Sequence, residues 1–147
     1  MNKAGKLKCV ANFIQNQNLD FVGFQETKKE IFSESFLKAI NCHFIWHYLP
    51  AKSTAGGILV GFDDRKFEVS SWQNKQYSVS AMVKNIADDF VWRFIVVYGS
   101  AYEEGKPEFI IELHELLDNW DGPTLIGGDF NLVCSHKEKN NGMVNLH

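Results

Sequence analysis

The sequence predicts an α/β fold, a mixed β-sheet with flanking helices, and three patterns carry that prediction. Apolar residues recur at helical spacing near the start of the chain and again at Phe109 to Trp120. Between these stretches, residues 43 to 98 change to the short period of successive strands. Short apolar runs, Leu19 to Phe24 and Thr124 to Ile126, follow the first and last helical patterns. At 147 residues the chain has the length of one domain. With 45% hydrophobic and 22% charged residues it has the apolar content for a packed core, to which twelve phenylalanines contribute heavily.

Leu7, Val10, Ala11 and Ile14 share one helical face beside Lys6, Lys8, Asn12 and Gln15, and the polar run Asn16, Gln17, Asn18 ends that helix. Leu19 to Phe24 reads as a buried strand that switches abruptly to Gln25, Glu26, Thr27. Ser33 is placed to cap a second helix carrying Phe36, Leu37 and Ile40. His43–Leu49, Gly57–Phe62, Lys66–Trp72, Gln76–Ile86 and Phe90–Tyr98 follow as strands, arranged as a meander or a pair of hairpins. Alternation in Gln76–Lys84 predicts one wet or lightly covered face, whereas Phe90–Tyr98 is apolar on both faces apart from Arg93 and is expected to be central. Pro107 suits the first turn of a third helix with Phe109, Leu113, Leu116, Leu117 and Trp120 as its stripe. A last strand, Thr124–Ile126, leads into Gly127, Gly128, Asp129, Phe130 and Asn131, and Ser135–Asn145 shows no periodic pattern.

A net charge of −3 excludes a strongly basic, charge-driven nucleic-acid binder, although local basic clusters remain compatible with it. Cys9, Cys42 and Cys134 are far apart and form no C-x-x-C pair, which indicates neither a zinc site nor a disulfide framework and fits a reducing compartment. The first residues contain no apolar signal region, and the longest apolar run is interrupted by Arg93, so neither a signal peptide nor a membrane span is expected and the protein is read as intracellular. No P-loop, G-x-S-x-G or G-x-G-x-x-G occurs. His43 and His47 fall on a strand, where four residues span too far for a shared zinc ion, and His114–Glu115 lacks the second histidine of H-E-x-x-H.

Chemistry concentrates at two strand ends, Gln25–Glu26 and Gly127–Asn131. Ligands of α/β sheets bind outside the carboxyl ends of strands, where side chains can be aimed into a shared cleft. Two carboxylates in one cleft suit a hard divalent cation with oxygen ligands. Glycines at 127 and 128 allow positive φ and close approach of a substrate to the backbone. Taken singly, each motif is also an ordinary turn or helix cap.

Together the motifs resemble the endonuclease/exonuclease/phosphatase superfamily of magnesium-dependent phosphoesterases, which includes apurinic endonucleases and the nicking endonucleases of non-LTR retrotransposons. Phe24–Thr27 is similar to its strand-end Q-E-T, Val97–Gly99 to its V-Y-G, and Gly127–Asn131 to its G-G-D-F-N. Lys137–Gly142 further resembles plant retrotransposon members. The resemblance implies a partial copy, over residues 1 to 147, of the two-sheet, four-layer sandwich of the DNase I-like fold. It implies Glu26 as metal ligand, for magnesium with manganese as the alternative ion, and Asp129 as the group that orients or deprotonates the attacking water. Asn131 would position the scissile phosphate and Tyr98 would donate a hydrogen bond near the phosphoryl oxygens, with Ser100 standing where the family usually has proline. The partner it implies is DNA, met by Lys28, Lys29, Lys137 and Lys139 at the two site loops, with no membrane association. A parent protein fused to a reverse transcriptase and a nuclear location follow from the same resemblance.

The departures carry expectations too. The family's first strand, with its metal-site asparagine, has no counterpart before the first helix, and no Asp-His dipeptide occurs, although the family closes on one. His136 and His147 do not replace it. Two lost contributors at roughly 100- to 1,000-fold each predict a feebly active isolated chain. A chain supplying chiefly one sheet would leave Phe94 and Val96 uncovered, which predicts self-association. The alternatives to an endonuclease are a non-catalytic retroelement remnant or binding fragment, and a phosphatase of the same superfamily.

Overall fold

The computed structural model describes residues 3 to 52 and 55 to 133. Helix α1 (Lys3–Asn16) leads to β1 (Phe21–Gln25), α2 (Glu34–Ile40), β2 (Phe44–Leu49), β3 (Ile58–Asp63), β4 (Phe67–Asn74), β5 (Ser78–Asn85) and β6 (Val91–Tyr98). A short 3-10 turn then precedes α3 (Lys106–Asp118) and β7 (Thr124–Asp129). The strands form two sheets rather than one: β1-β3-β2, all antiparallel, and β4-β5-β6-β7, antiparallel except for the parallel β6–β7 pair. Only β4–β5–β6 is a meander, because the link from β3 to β4 crosses between sheets.

Side-chain alternation sorts each strand into an inner and an outer face. Phe21, Val60, Phe62, Val79, Val83, Trp92, Phe94 and Val96 meet between the sheets. Phe62 stacks on Phe21 at 5.4 Å between centroids and meets Phe94 edge-on at 5.0 Å, the offset geometries aromatic pairs prefer. Phe94 and Val96 are therefore covered, contrary to the single-sheet expectation, because β1 and β3 supply the second layer. Val22, Phe24 and Leu59 turn outward to pack with Ile14, Phe32 and Ile40 beneath α1 and α2. Ser33 caps α2 as expected, its hydroxyl accepting from the Phe36 N–H at 3.2 Å.

Helix α3 covers the outer face of the second sheet through Phe109 and Leu116 over Ile95 and Val97. The predicted wet face of β5 is consequently buried. Ser78 lies there because its hydroxyl donates to Glu112 Oε1 at 2.6 Å, while the same carboxylate accepts the backbone N–H groups of Gln76 and Tyr77. Glu112 is thus buried on the α3 face, and Leu117, assigned to the stripe from sequence, is half exposed. A carboxylate satisfying three donors can occupy an interior position that hydropathy alone would deny it.

The two long sides of the sandwich differ. Along β2 and β4, His47 stacks on Trp72 at 4.4 Å and 9°, His47 Nε2 pairs with Asn74 Oδ1 at 2.8 Å, and Asn74 Nδ2 donates to the Tyr48 carbonyl. Along the opposite side, β1 and β7 are both edges among the described residues. On β7 the inward-facing Leu125 is 46% exposed and a Cβ at Gly127 would meet nothing within 4 Å.

Replacing Glu112 with alanine leaves the buried Ser78 hydroxyl and the Gln76 and Tyr77 N–H groups without their acceptor and is expected to cost about 1–3 kcal/mol, measurable by urea denaturation at pH 7. Self-association, if measured by sedimentation velocity over a concentration series, should follow the β7 edge. Leu125→Lys is expected to reduce it with less than about 0.5 kcal/mol change in stability.

Candidate active site

The site forms where β1, β6 and β7 end together. In β6 and β7 the parallel register places Tyr98 beside Asp129, both on the inner face. The Gly99 N–H continues the pairing by donating to the Asp129 carbonyl at 2.8 Å. The strand thus runs through Gly127 and Gly128 to Asp129, three residues beyond the expected end at Ile126. Gly128 has φ +136°, and a Cβ there would collide with the Val97 carbonyl oxygen, so only glycine lets β7 lie this close to β6.

Glu26 arrives from the other sheet. Alternation would put residue 26 on the helix-covered side with Val22 and Phe24, but its backbone turns left-handed at φ +52°. The N–H groups of Thr27 and Lys28 donate to the carbonyls of Gly57 and Gly56, which anchors the turn. Such a conformation costs a non-glycine residue roughly 1–2 kcal/mol and persists where surrounding contacts impose it. Asn131 is similar, at φ +49°. Its N–H donates to Asp129 Oδ1 at 2.9 Å, orienting that carboxylate, and its Nδ2 donates to the Gly99 carbonyl at 2.9 Å, tying the β7 end to β6.

Tyr98 records the convergence. Burial first, then the neighbouring Glu26 carboxylate, then the charge of Asp129, push the phenol up to about 12. Carboxylates from two sheets therefore act on one hydroxyl, which stays protonated, and able to donate, throughout the neutral range. Among the described residues no group of three histidine, cysteine, aspartate or glutamate side chains is arranged to hold a metal ion. Glu26 and Asp129 supply an all-oxygen pair, which fits magnesium, an ion that keeps several waters and takes one or two carboxylates.

The sequence profile of the Endonuclease/Exonuclease/phosphatase family matches residues 2 to 145. The chain belongs to this family. None of the curated proteins compared with it matches. Among solved structures, the human Nocturnin catalytic domain with bound sulfate superimposes with a TM-score of 0.67 at 13% identity, covering 88% of this chain and 58% of that one. TDP2 of D. rerio complexed with single-strand DNA product gives 0.65 at 11%, covering 90% and 56%. ANGEL2, titled a 2',3'-cyclic phosphatase, in complex with adenosine-2',3'-vanadate, gives 0.72 at 13%, covering 90% and 46%. At these identities the likeness shows the DNase I-like fold, of which this chain spans about half to three-fifths of the neighbours' length.

Of the family-type residues expected from sequence, Glu26, Tyr98, Asp129 and Asn131 are brought to one end of the sandwich. Lys28 is exposed on the Glu26 turn. Lys29 turns toward the helices, its amine 4.0 Å from the Phe36 ring centroid and 5.1 Å from that of Phe32, a cation–π arrangement away from the carboxylates. Lys137 and Lys139 lie outside the described residues, as do Cys134, His136 and His147.

Sequence reading missed the neighbours of the carboxylates. A groove of about 510 Å³ runs from Glu26 and Tyr98 past Lys52, Lys75, Tyr77 and Tyr102. No motif marks these residues; Lys52 and Tyr102 lie in irregular segments brought together only by the packing of the sheets.

The raised Tyr98 phenol gives a pH signature. Because the folded value lies above the unfolded one, near 10, the neutral phenol contributes stability that is present below pH 10 and lost as pH rises through about 12. In a spectrophotometric titration of the four tyrosines, the last phenolate to form should vanish in Tyr98→Phe. It should form at lower pH in Glu26→Gln.

Proposed function

We propose that this family member carries the phosphodiester-hydrolysing centre of a divalent-metal-dependent DNA endonuclease, a partial domain of retrotransposon type. The observation that supports the reading is that Glu26, from one sheet, lines the same groove as Tyr98, which the other sheet pairs beside Asp129. Glu26, with Asp129 beside it, would hold the cation. When bound, magnesium neutralises charge on the phosphate and lowers the cost of the added negative charge in an in-line displacement. Asp129, oriented by the Asn131 N–H, directs a water at phosphorus and accepts its proton. Tyr98 donates toward the phosphoryl oxygens from a hydroxyl that remains neutral. Asn131 acts at the scissile phosphate and also as a positioning residue, since its side chain fastens the Gly99 carbonyl. Water is the nucleophile, so no covalent intermediate is required.

Lys28, and the lysines at 137 and 139, would meet DNA phosphates. The structural neighbour solved with a single-strand DNA product supports a nucleic-acid substrate, and the neighbour titled a cyclic phosphatase keeps phosphatase action as the second reading. A nuclear protein fused to a reverse transcriptase belongs to the same proposal. No helix of the described residues is long and apolar enough to cross a membrane.

Nicking of supercoiled plasmid tests the reading. Wild type should nick with magnesium or manganese and not in EDTA, and Asp129→Ala and Glu26→Ala should each lower the rate by at least about 100-fold. Equal nicking by all three proteins would refute the assignment.

A further inference from the structure

Resting on the phosphodiesterase reading, we propose that the groove beside the carboxylates seats an unpaired nucleobase of the substrate strand, with Tyr102 as its stacking platform and Lys52 as a contact for the neighbouring phosphate. Three observations point there. The groove, about 510 Å³, opens directly from Glu26 and Tyr98, so a strand whose phosphate lies at the carboxylates must pass a flanking nucleotide through or over it. Its lining is mostly apolar but includes the exposed amine-bearing Lys52, a combination that suits the flat face of a base joined to an anionic backbone.

The third observation concerns Tyr102 itself. Its side chain is 78% exposed, unusual for a large aromatic residue, yet its backbone is fixed. The Tyr102 N–H donates to Ser100 Oγ at 3.2 Å, Ser100 Oγ donates to the Tyr102 carbonyl at 2.9 Å, and the Gly105 N–H donates to the same carbonyl. A tyrosine whose backbone is already fixed has only its two side-chain torsions to order on stacking, a small cost for the area a base would cover. Ser100, standing where the family usually has proline, supplies the hydroxyl that organises this turn. The second amine of the groove, Lys75, is paired with Glu115 at 2.8 Å, which leaves Lys52 as the better phosphate contact of the two. A base must be unstacked from its neighbours to lie on Tyr102, so the groove selects single-stranded or locally opened nucleic acid.

The test is fluorescence anisotropy with a labelled single-stranded DNA decamer carrying phosphorothioate linkages, beside an abasic decamer of the same length and charge, in magnesium. Wild type should bind the base-bearing strand more tightly. Tyr102→Ala should weaken that binding about tenfold and abolish the preference over the abasic strand, whereas Tyr102→Phe should retain both. Lys52→Ala should weaken both strands alike and lower the slope of log affinity against log salt by about 0.7. Absence of binding by wild type, no preference for bases, or a preference unchanged in Tyr102→Ala would overturn the proposal. A base preference lost in Tyr102→Ala alongside a wild type that never nicks plasmid would keep the groove and refute the hydrolytic reading. Nicking with no base preference would do the reverse.

Discussion

The contact between the two sheets is the constraint on which the site depends. Glu26 belongs to one sheet and Tyr98 and Asp129 to the other, so no local hydrogen-bond ladder can bring them together. What aligns them is the inner-face cluster of Phe21, Phe62, Trp92 and Phe94, whose edge-on and stacked rings set how β1 lies across β6. Toward the site the large rings give way to Gly23 opposite Val96, where an added Cβ would sit 2.8 Å from Val96 Cγ2. The absence of a side chain at Gly23 thus lets β1 lie close against Val96 of β6, two residues before Tyr98. A larger side chain at Gly23 would separate Glu26 from Tyr98 without touching either, a case in which packing and chemistry are controlled by the same residue.

That dependence explains how much could be read from the sequence. Helix α1, the Ser33 cap of α2 and all of the strands were legible because each is specified locally, by period and capping chemistry. The division into two sheets was implied by the family resemblance alone and not by the period of the residues. The link at Asp63–Lys66 looks like a hairpin turn, and only the aromatic inner faces of β1 and β3, distant in sequence from β6, reveal that the chain changes layer there. Burial of Ser78 and Glu112 escaped notice for a related reason: each is polar in isolation and becomes an acceptable interior residue only when α3 supplies the other. Within the site, Glu26 and Asp129 could be singled out as strand-end carboxylates, but their relation to Tyr98 and the groove at Tyr102 and Lys52 requires the fold.

The two sides of the sandwich also divide labour. Along β2 and β4 the His47–Trp72 stack and the Asn74 hydrogen bonds close the edge, whereas β1 and β7, the strands that carry the carboxylates, remain edges among the described residues. The same geometry that exposes the chemistry exposes Leu125 and the unpaired backbone of β7. An uncovered edge strand is tolerated in soluble proteins when it is short or otherwise blunted. Here β7 is six residues long and is followed by the left-handed Asn131, which limits how much of it can template another strand.

Exposure at this end has an electrostatic consequence. Glu26 and Asp129 both lie in contact with solvent, and only Tyr98 between them is partly withdrawn from it. Charge–charge interactions near a protein surface are weakened several-fold relative to an enclosed site, and so is any stabilisation of charge developing on a phosphoryl group. The openness of this end therefore limits the electrostatic stabilisation that the two carboxylates can deliver. Binding a nucleic-acid strand along the groove would itself displace water from Tyr98 and the two carboxylates. On the proposed reading, substrate binding and formation of a low-dielectric site would be the same event, and the affinity of the groove would set how much electrostatic stabilisation the carboxylates deliver.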